Sequence, residues 1–154
     1  MRWDQGRSTL DDMLSKGSLE RVPPSRTHAE AMLDQARRHL AAAGTIATGD
    51  PVGAYQLAYD AARKALTAVL ENQGLRPTRA GGHLAVLDAV RAQLDPPMGG
   101  VLRPFDRMRR RRNDAEYPAA DRPELTAAEV IADRVKVSAI IDMAEKVLDE
   151  MGTY

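Results

Sequence analysis

Residues 50–74 read DPVGAYQLAYDAARKALTAVLENQG, and this stretch decides the fold. Asp50 is a good N-cap, and Pro51 stands at the first helical position, where its missing N–H is not needed. Tyr55, Ala58, Tyr59, Ala62, Leu66, Val69 and Leu70 recur at helical spacing and form one broad face. Gly74 supplies the stop after Gln73. Ala58, Ala61, Ala62 and Ala65 would let neighbouring helices approach closely. The spacing predicts a helix over Asp50–Gln73 with helices packed against it.

Composition agrees. The chain has 154 residues, 44% apolar but only 4% aromatic. A core without aromatics is built from Ala, Leu, Val, Ile and Met, which favours helices over a β-sandwich or barrel. The length fits one domain with a real core. There is no cysteine, which excludes disulfides and thiolate metal sites. The charged start MRWDQGRSTLDD is unlike a signal peptide, and no apolar run approaches a membrane span. These features point to a cytoplasmic protein with no membrane contact.

Four further helices follow from caps and periodicity. Thr27 and Glu30 have capping-box spacing, and Met32, Leu33, Ala36, Leu40 and Ala43 follow at three and four, giving Thr27–Ala43 with Gly44 as the stop. A turn-rich linker, GLRPTRAGG, leads to His83–Leu94, and DPPMGG breaks that helix. The next starts near Pro104 and is ended at Tyr117 by Pro118, because the residue before a proline is pushed out of the helical region. Thr126 and Glu129 repeat the capping box and open Thr126–Glu150. That last helix carries two adjacent apolar stripes, Ile131, Val135, Ile141 and Leu148 beside Val137, Ile140, Ala144 and Val147. One stripe would face the core and the other a partner subunit. No strand shows convincing alternation. The expected fold is all-α, an antiparallel bundle of four or five helices over residues 25–154. Residues 1–24 form an N-terminal arm, with one or two helical turns over Ser8–Leu14 ended by Gly17. The arm packs on the core or on a second subunit.

Charge is neutral overall but not evenly spread. Arg103 to Arg112 holds six arginines against one acid, Asp106, so the rest carries 16 basic and 21 acidic side chains. Concentrated positive charge attracts phosphate. The plain alternative is a solvated face in a chain that uses arginine, 18 residues, far more than lysine, 4 residues. His28, His39 and His83 have no metal-ligand spacing and read as surface residues, so no metal or other cofactor is expected. Arg109, Arg112, Asn113 and Glu116 share a helix face. Arg112 suits a bidentate grip on phosphate, Asn113 can donate beside it, and Tyr117 lies within reach of the same pocket. Arg107 and Arg111 point elsewhere and can, with Arg110, follow a nucleic-acid backbone.

The run RNDAEY, Arg112 to Tyr117, resembles the signature of the HEPN superfamily, helical bundles associated with metal-independent RNA cleavage. That signature is an arginine, a polar residue, and a histidine closing an R-x(4–6)-H pattern. Arg112 and Asn113 match the opening, while Tyr117 stands where the histidine belongs. The stretch from Ala54 to Val90 is similar to the second and third helices of such proteins, with His83 opening the latter. The resemblance spans about Arg26 to Leu148. It implies a catalytic set of Arg112, Asn113 and Tyr117 in degenerate form. Arg107, Arg109, Arg110, Arg111 and Glu116 would then lie on the nucleic-acid side. Tyrosine has an unperturbed pKa near ~10, against ~6.5 for histidine, so it accepts protons poorly at neutral pH. The resemblance therefore implies a bacterial protein that binds RNA or a nucleotide with weakened or absent ribonuclease activity. It also implies a homodimer and, by family habit, a nucleotidyltransferase antitoxin partner in a toxin–antitoxin pair. The competing reading is a non-catalytic helical protein–protein interaction domain.

Overall fold

The computed structural model describes residues 3–154; Met1 and Arg2 of the arm lie outside the described residues. Six helices and two short strands are present among them: α1 Arg7–Ser15, β1 Leu19–Arg21, α2 Arg26–Ile46, α3 Pro51–Gln73, β2 Leu75–Pro77, α4 Gly82–Leu94, α5 Gly99–Glu116 and α6 Ala127–Leu148. The fold is thus mostly helical, with more helices than the four or five expected and with a small sheet.

The helix α3 is the axis of the molecule. It touches α2, α4, α5, α6 and β2. Fourteen of its residues are buried, distributed around the helix rather than along one stripe. A helix apolar all round belongs in the middle of a bundle. Its alanines at 54, 58, 61, 62, 65 and 68 are fully buried, and their small side chains admit the neighbouring helices. The ends form as expected: the Asp50 side chain accepts from the Gly53 N–H, and Gly74 closes the helix at φ 85°.

Other boundaries differ for local reasons. Ser25, not Thr27, caps α2, its hydroxyl accepting from the His28 N–H at 3.1 Å. Ser25 follows Pro24 and adopts an extended backbone, so the helix begins before Thr27. Glu30 is used by Arg26, at 2.9 Å. Gly44 does not end α2. The Arg134 guanidinium of α6 passes 2.6 Å from where its Cβ would stand, so glycine here provides space for a helix crossing. Arg134 Nε donates to the Leu40 carbonyl at 2.9 Å in the same crossing. The α5 helix starts at Gly99 and holds Pro104 inside. The i−4 acceptor that Pro104 leaves unused belongs to the exposed Gly100, where water can replace it. The α6 cap at Thr126 forms, accepting from the Glu129 N–H at 3.2 Å.

The strands are three residues each, too short for alternation to register in sequence. They pair antiparallel, Leu19 opposite Pro77 and Arg21 opposite Leu75. Leu10, Met13 and Leu19 of the N-terminal segment belong to the same core as α3. The C-terminus meets them: Tyr154 donates from its backbone to the Gln73 carbonyl, and the guanidinium groups of Arg7 and Arg21 lie 5.0 and 5.2 Å from its ring centroid.

A buried ionic contact locks α5 and α6 onto α3. Asp133 is 4% exposed and receives Arg107 in two hydrogen bonds of 2.7 and 3.1 Å, with the Tyr55 hydroxyl at 2.6 Å. Burial would push its carboxyl up, but Arg107 and Tyr55 outweigh burial and hold it below the usual range. Arg111 hydrogen-bonds to Glu129, through two bonds of 2.9 Å, and lowers that carboxyl too. Arg107→Ala would strip a buried carboxylate of its main partner, and we expect a loss on the order of 1–3 kcal/mol in urea denaturation. A depressed carboxylate contributes stability above its unfolded pKa near ~4 and loses it as pH falls through the folded value. The acid side of the native stability profile should therefore flatten in Arg107→Ala.

Candidate functional site

The arginine run divides by partner. Arg107 and Arg111 are held by acids of α6, as above. Arg109 Nε lies 3.0 Å from Asp106, and Arg110, two-thirds exposed, reaches the same carboxylate at 3.4 Å. Arg112 differs from all of them. Its Nη1 is 3.4 Å from Asn113 Oδ1 and 3.7 Å from Glu116, both loose contacts. Its Nε is buried with no partner. Its guanidinium sits over the Tyr59 ring at 5.3 Å, within cation–π range.

Of the face expected from spacing, Arg112 contacts Asn113 and Glu116 on α5, while Arg109 is turned to Asp106. Tyr117 is not in that group. It is the C-cap, beyond the last helical residue, and is 74% exposed. Pro118 forces its backbone out of the helix, and that swings the side chain into solvent. Among the described residues its hydroxyl has no hydrogen-bond partner.

His83 takes part in the site, contrary to its reading as a surface residue. It is half-buried, and its Nδ1 lies 2.7 Å from the Tyr59 hydroxyl. The Tyr59 and His83 ring centroids are 5.6 Å apart, and Phe105 stacks on Tyr59 at 5.3 Å. Burial, then Arg63 and Arg112, push the His83 pKa below its ordinary value. Burial raises the Tyr59 hydroxyl to about 12 despite Arg112, Arg63 and Arg109 nearby. His39 is also partnered, with Lys64 Nζ 2.7 Å from its Nε2, and only His28 is exposed as expected.

Local sequence explains how His83 arrives there. Gly81 packs so tightly on Ser18 that a Cβ would stand 2.4 Å from the Ser18 carbonyl oxygen. This fixes the start of α4 against the loop before β1. The Thr78 hydroxyl accepts from the Gly81 N–H at 3.2 Å and turns the chain into α4. His83 thus leaves from the first turn of α4 directly over Tyr59. The site consists of Tyr59 and Arg63 of α3, His83 of α4, and Arg109, Arg112 and Asn113 of α5, with Asp60 paired to Arg63 at 3.2 Å. Tyr59 and Arg63 are four apart, one helical turn, but nothing in sequence links them to His83 or Arg112.

A separate cavity of about 670 Å³ lies between Pro51, Val52 and the loop 118–125, and neither Arg112 nor His83 lines it. The Asp114–Arg122 ion pair lies in its wall. Its lining offers no concentrated positive charge, so the electrostatics point to the Arg112 side. No helix among the described residues is long and apolar enough to cross a membrane.

No curated protein and no solved structure matches the chain. A family model described as the HEPN domain matches residues 29–153, from the first turn of α2 almost to the C-terminus. That match covers all four long helices, α5 with its arginine run, and the Arg112–Tyr59–His83 cluster, and the chain is a member of the HEPN family.

Proposed function

We propose that this protein binds RNA or a nucleotide through a phosphate held at Arg112, with weakened or absent ribonuclease activity. The observation that carries the reading is the state of Arg112. It is the one guanidinium of the run with a buried, unpartnered Nε, its carboxylate contact, Glu116, is loose at 3.7 Å, and its guanidinium lies over the Tyr59 ring. A buried donor without an acceptor is costly, and a phosphate oxygen would satisfy it. Asn113 beside it supplies an amide donor. Arg109 and Arg110 extend the positive face along α5. Arg107 and Arg111 hold α6 through Asp133 and Glu129 and serve the site by keeping α5 in place.

Weak catalysis follows from the residue at the end of the motif. Tyr117 puts a phenol, a poorer general base than imidazole, where the motif histidine belongs, and it stands beyond the last residue of α5, 74% exposed. Its exposure suits a different role, as a surface that a nucleotidyltransferase partner could reach, in keeping with the family's toxin–antitoxin pairs. The protein acts as a homodimer in this reading. Of the stripe Ile131, Val135, Ile141 and Leu148 on α6, the last two are buried in the core and only Ile131 and Val135 are exposed, at 54% and 71%, and a second copy would cover that pair. The same exposed pair favours the second reading, a helical interaction domain without ligand.

Arg112→Ala should weaken binding of a single-stranded RNA oligonucleotide by about ten- to a hundredfold, the loss of a charge-assisted contact worth ~1.5–3 kcal/mol. Asn113→Ala should weaken it less, and native binding should fall steadily with added salt. If Arg112→Ala binds like the native protein, the interaction-domain reading replaces this one. In cleavage assays with EDTA the native protein should show little activity; strong EDTA-resistant cleavage by the native chain contradicts the weak-nuclease reading. Light scattering should report a dimer at micromolar concentration, and Val135→Asp should release monomers. A native monomer there removes the two-fold assembly.

A further inference from the structure

Resting on the phosphate reading of Arg112, the geometry points to His83 as a second ligand of the same anion, one that takes up a proton as the anion binds. Tyr59 joins the two groups. Its ring face carries the Arg112 guanidinium at 5.3 Å, and its hydroxyl holds His83 Nδ1 at 2.7 Å. Tyr59 itself is fully buried and stacked on Phe105, so neither contact is free to drift.

The hydrogen bond sets the imidazole's tautomer. His83 Nδ1 is the only partner of the Tyr59 hydroxyl among the described residues. A fully buried O–H needs an acceptor, and Nδ1 is the one within reach. Nδ1 therefore accepts and the ring proton resides on Nε2. Nε2 has no protein partner among the described residues and is not sealed from solvent. A neutral His83 imidazole presents one N–H donor, at Nε2. Its basic nitrogen, Nδ1, is engaged by the Tyr59 hydroxyl rather than turned to a ligand, so His83 does not replace the missing motif histidine as a general base.

Charge around the ring determines what a ligand does to it. Asp60 and Arg63 face it from α3, along with Tyr59, and Arg109 and Arg112 face it from α5. Three guanidinium groups against the one carboxylate among these neighbours disfavour an imidazolium. A bound anion reverses the balance, because an opposite charge within a few ångströms favours the charged form. Protonation then makes both ring nitrogens donors. The Tyr59 hydroxyl turns from donor to acceptor for Nδ1–H and its own proton loses its acceptor, a cost that the anion held by Nε2–H must offset. The proton comes from solvent, and no covalent bond is made or broken. By linkage, anions bind more tightly as pH falls through the range where His83 titrates in the complex.

The site thus recognises a phosphate group with a cation from α5 and a donor from α4. This adds a pH dependence that an arginine-only site lacks.

The test is an NMR titration of the three imidazoles of the full chain between pH 5 and 8. It is run in sodium chloride, in sodium sulfate at matched ionic strength, and with a deoxythymidine dinucleotide. Neither sulfate nor the phosphodiester titrates in that window. Without sulfate the His83 midpoint should lie below ~6.5, with the ring proton on Nε2. Sulfate and the dinucleotide should each raise it by about one unit, equivalent to roughly tenfold tighter anion binding to the protonated form. His28, exposed on α2 and outside the site, serves as the internal reference. Arg112→Ala should abolish the shift, and His83→Gln should bind sulfate more weakly with no pH dependence between 5 and 8. Anion binding that depends on Arg112 but leaves the His83 midpoint unmoved overturns the His83 assignment alone. Binding that survives Arg112→Ala, or no binding of either probe, overturns the Arg112 reading and this inference with it.

Discussion

The contact on which the rest depends is the buried carboxylate of Asp133 and the groups that satisfy it. Asp133 projects from α6 into the interior, where an unpaired charge would cost several kcal/mol. Tyr55 from α3 and Arg107 from α5 converge on it, so three helices must meet in one register for the charge to be tolerated. Arg111 and Glu129 repeat the α5–α6 connection one turn along. Hydrophobic burial brings these helices together but would accept several rotations of α5. The ion pairs accept one. That rotation puts Arg107 and Arg111 toward α6 and leaves Arg112 over Tyr59. The position of the candidate site is thus a consequence of how α5 is fastened.

A dense arginine run looks uniform in sequence and is not uniform in the fold. On a helix, neighbours in sequence point about 100° apart, so four consecutive arginines face four environments. Arg110 faces solvent, Arg111 faces Glu129, and Arg112 faces an aromatic ring with its Nε unpartnered. The energetic consequence is a division of labour. Arg107 and Arg111 stabilise, while Arg112 is held in a state that a ligand would improve. Proteins commonly retain such locally unfavourable groups where they bind or react.

Much of the fold was legible because caps and periodicity are local. Asp50, Pro51, Gly74 and Thr126 act as their chemistry dictates. The exceptions each involve a distant partner. Gly44 looked like a stop because glycine often ends helices, but the Arg134 guanidinium, ninety residues on, occupies the space its missing Cβ leaves. The strands at Leu19–Arg21 and Leu75–Pro77 are defined only by each other. The same limit governs the site. Arg109, Arg112, Asn113 and Glu116 could be placed on one face from helical spacing alone. Tyr117 was expected beside them, yet Pro118 ends the helix one residue too soon. His83 looked like a surface histidine because its partner, Tyr59, reads as an ordinary core residue of α3. Only packing of α4 and α5 on α3 brings the imidazole and Arg112 onto one aromatic ring.

The central claim is that α5 separates fastening arginines from a binding arginine, and the stability of Arg112→Met tests it most directly. Methionine keeps an apolar stem against Tyr59 while removing the charge and the orphaned Nε–H. In urea denaturation at neutral pH and low anion concentration, the account predicts that Arg112→Met is as stable as the native protein or more stable. A loss comparable to that caused by removing the Arg107 side chain would contradict it, because Arg112 would then be one more fastener of the fold.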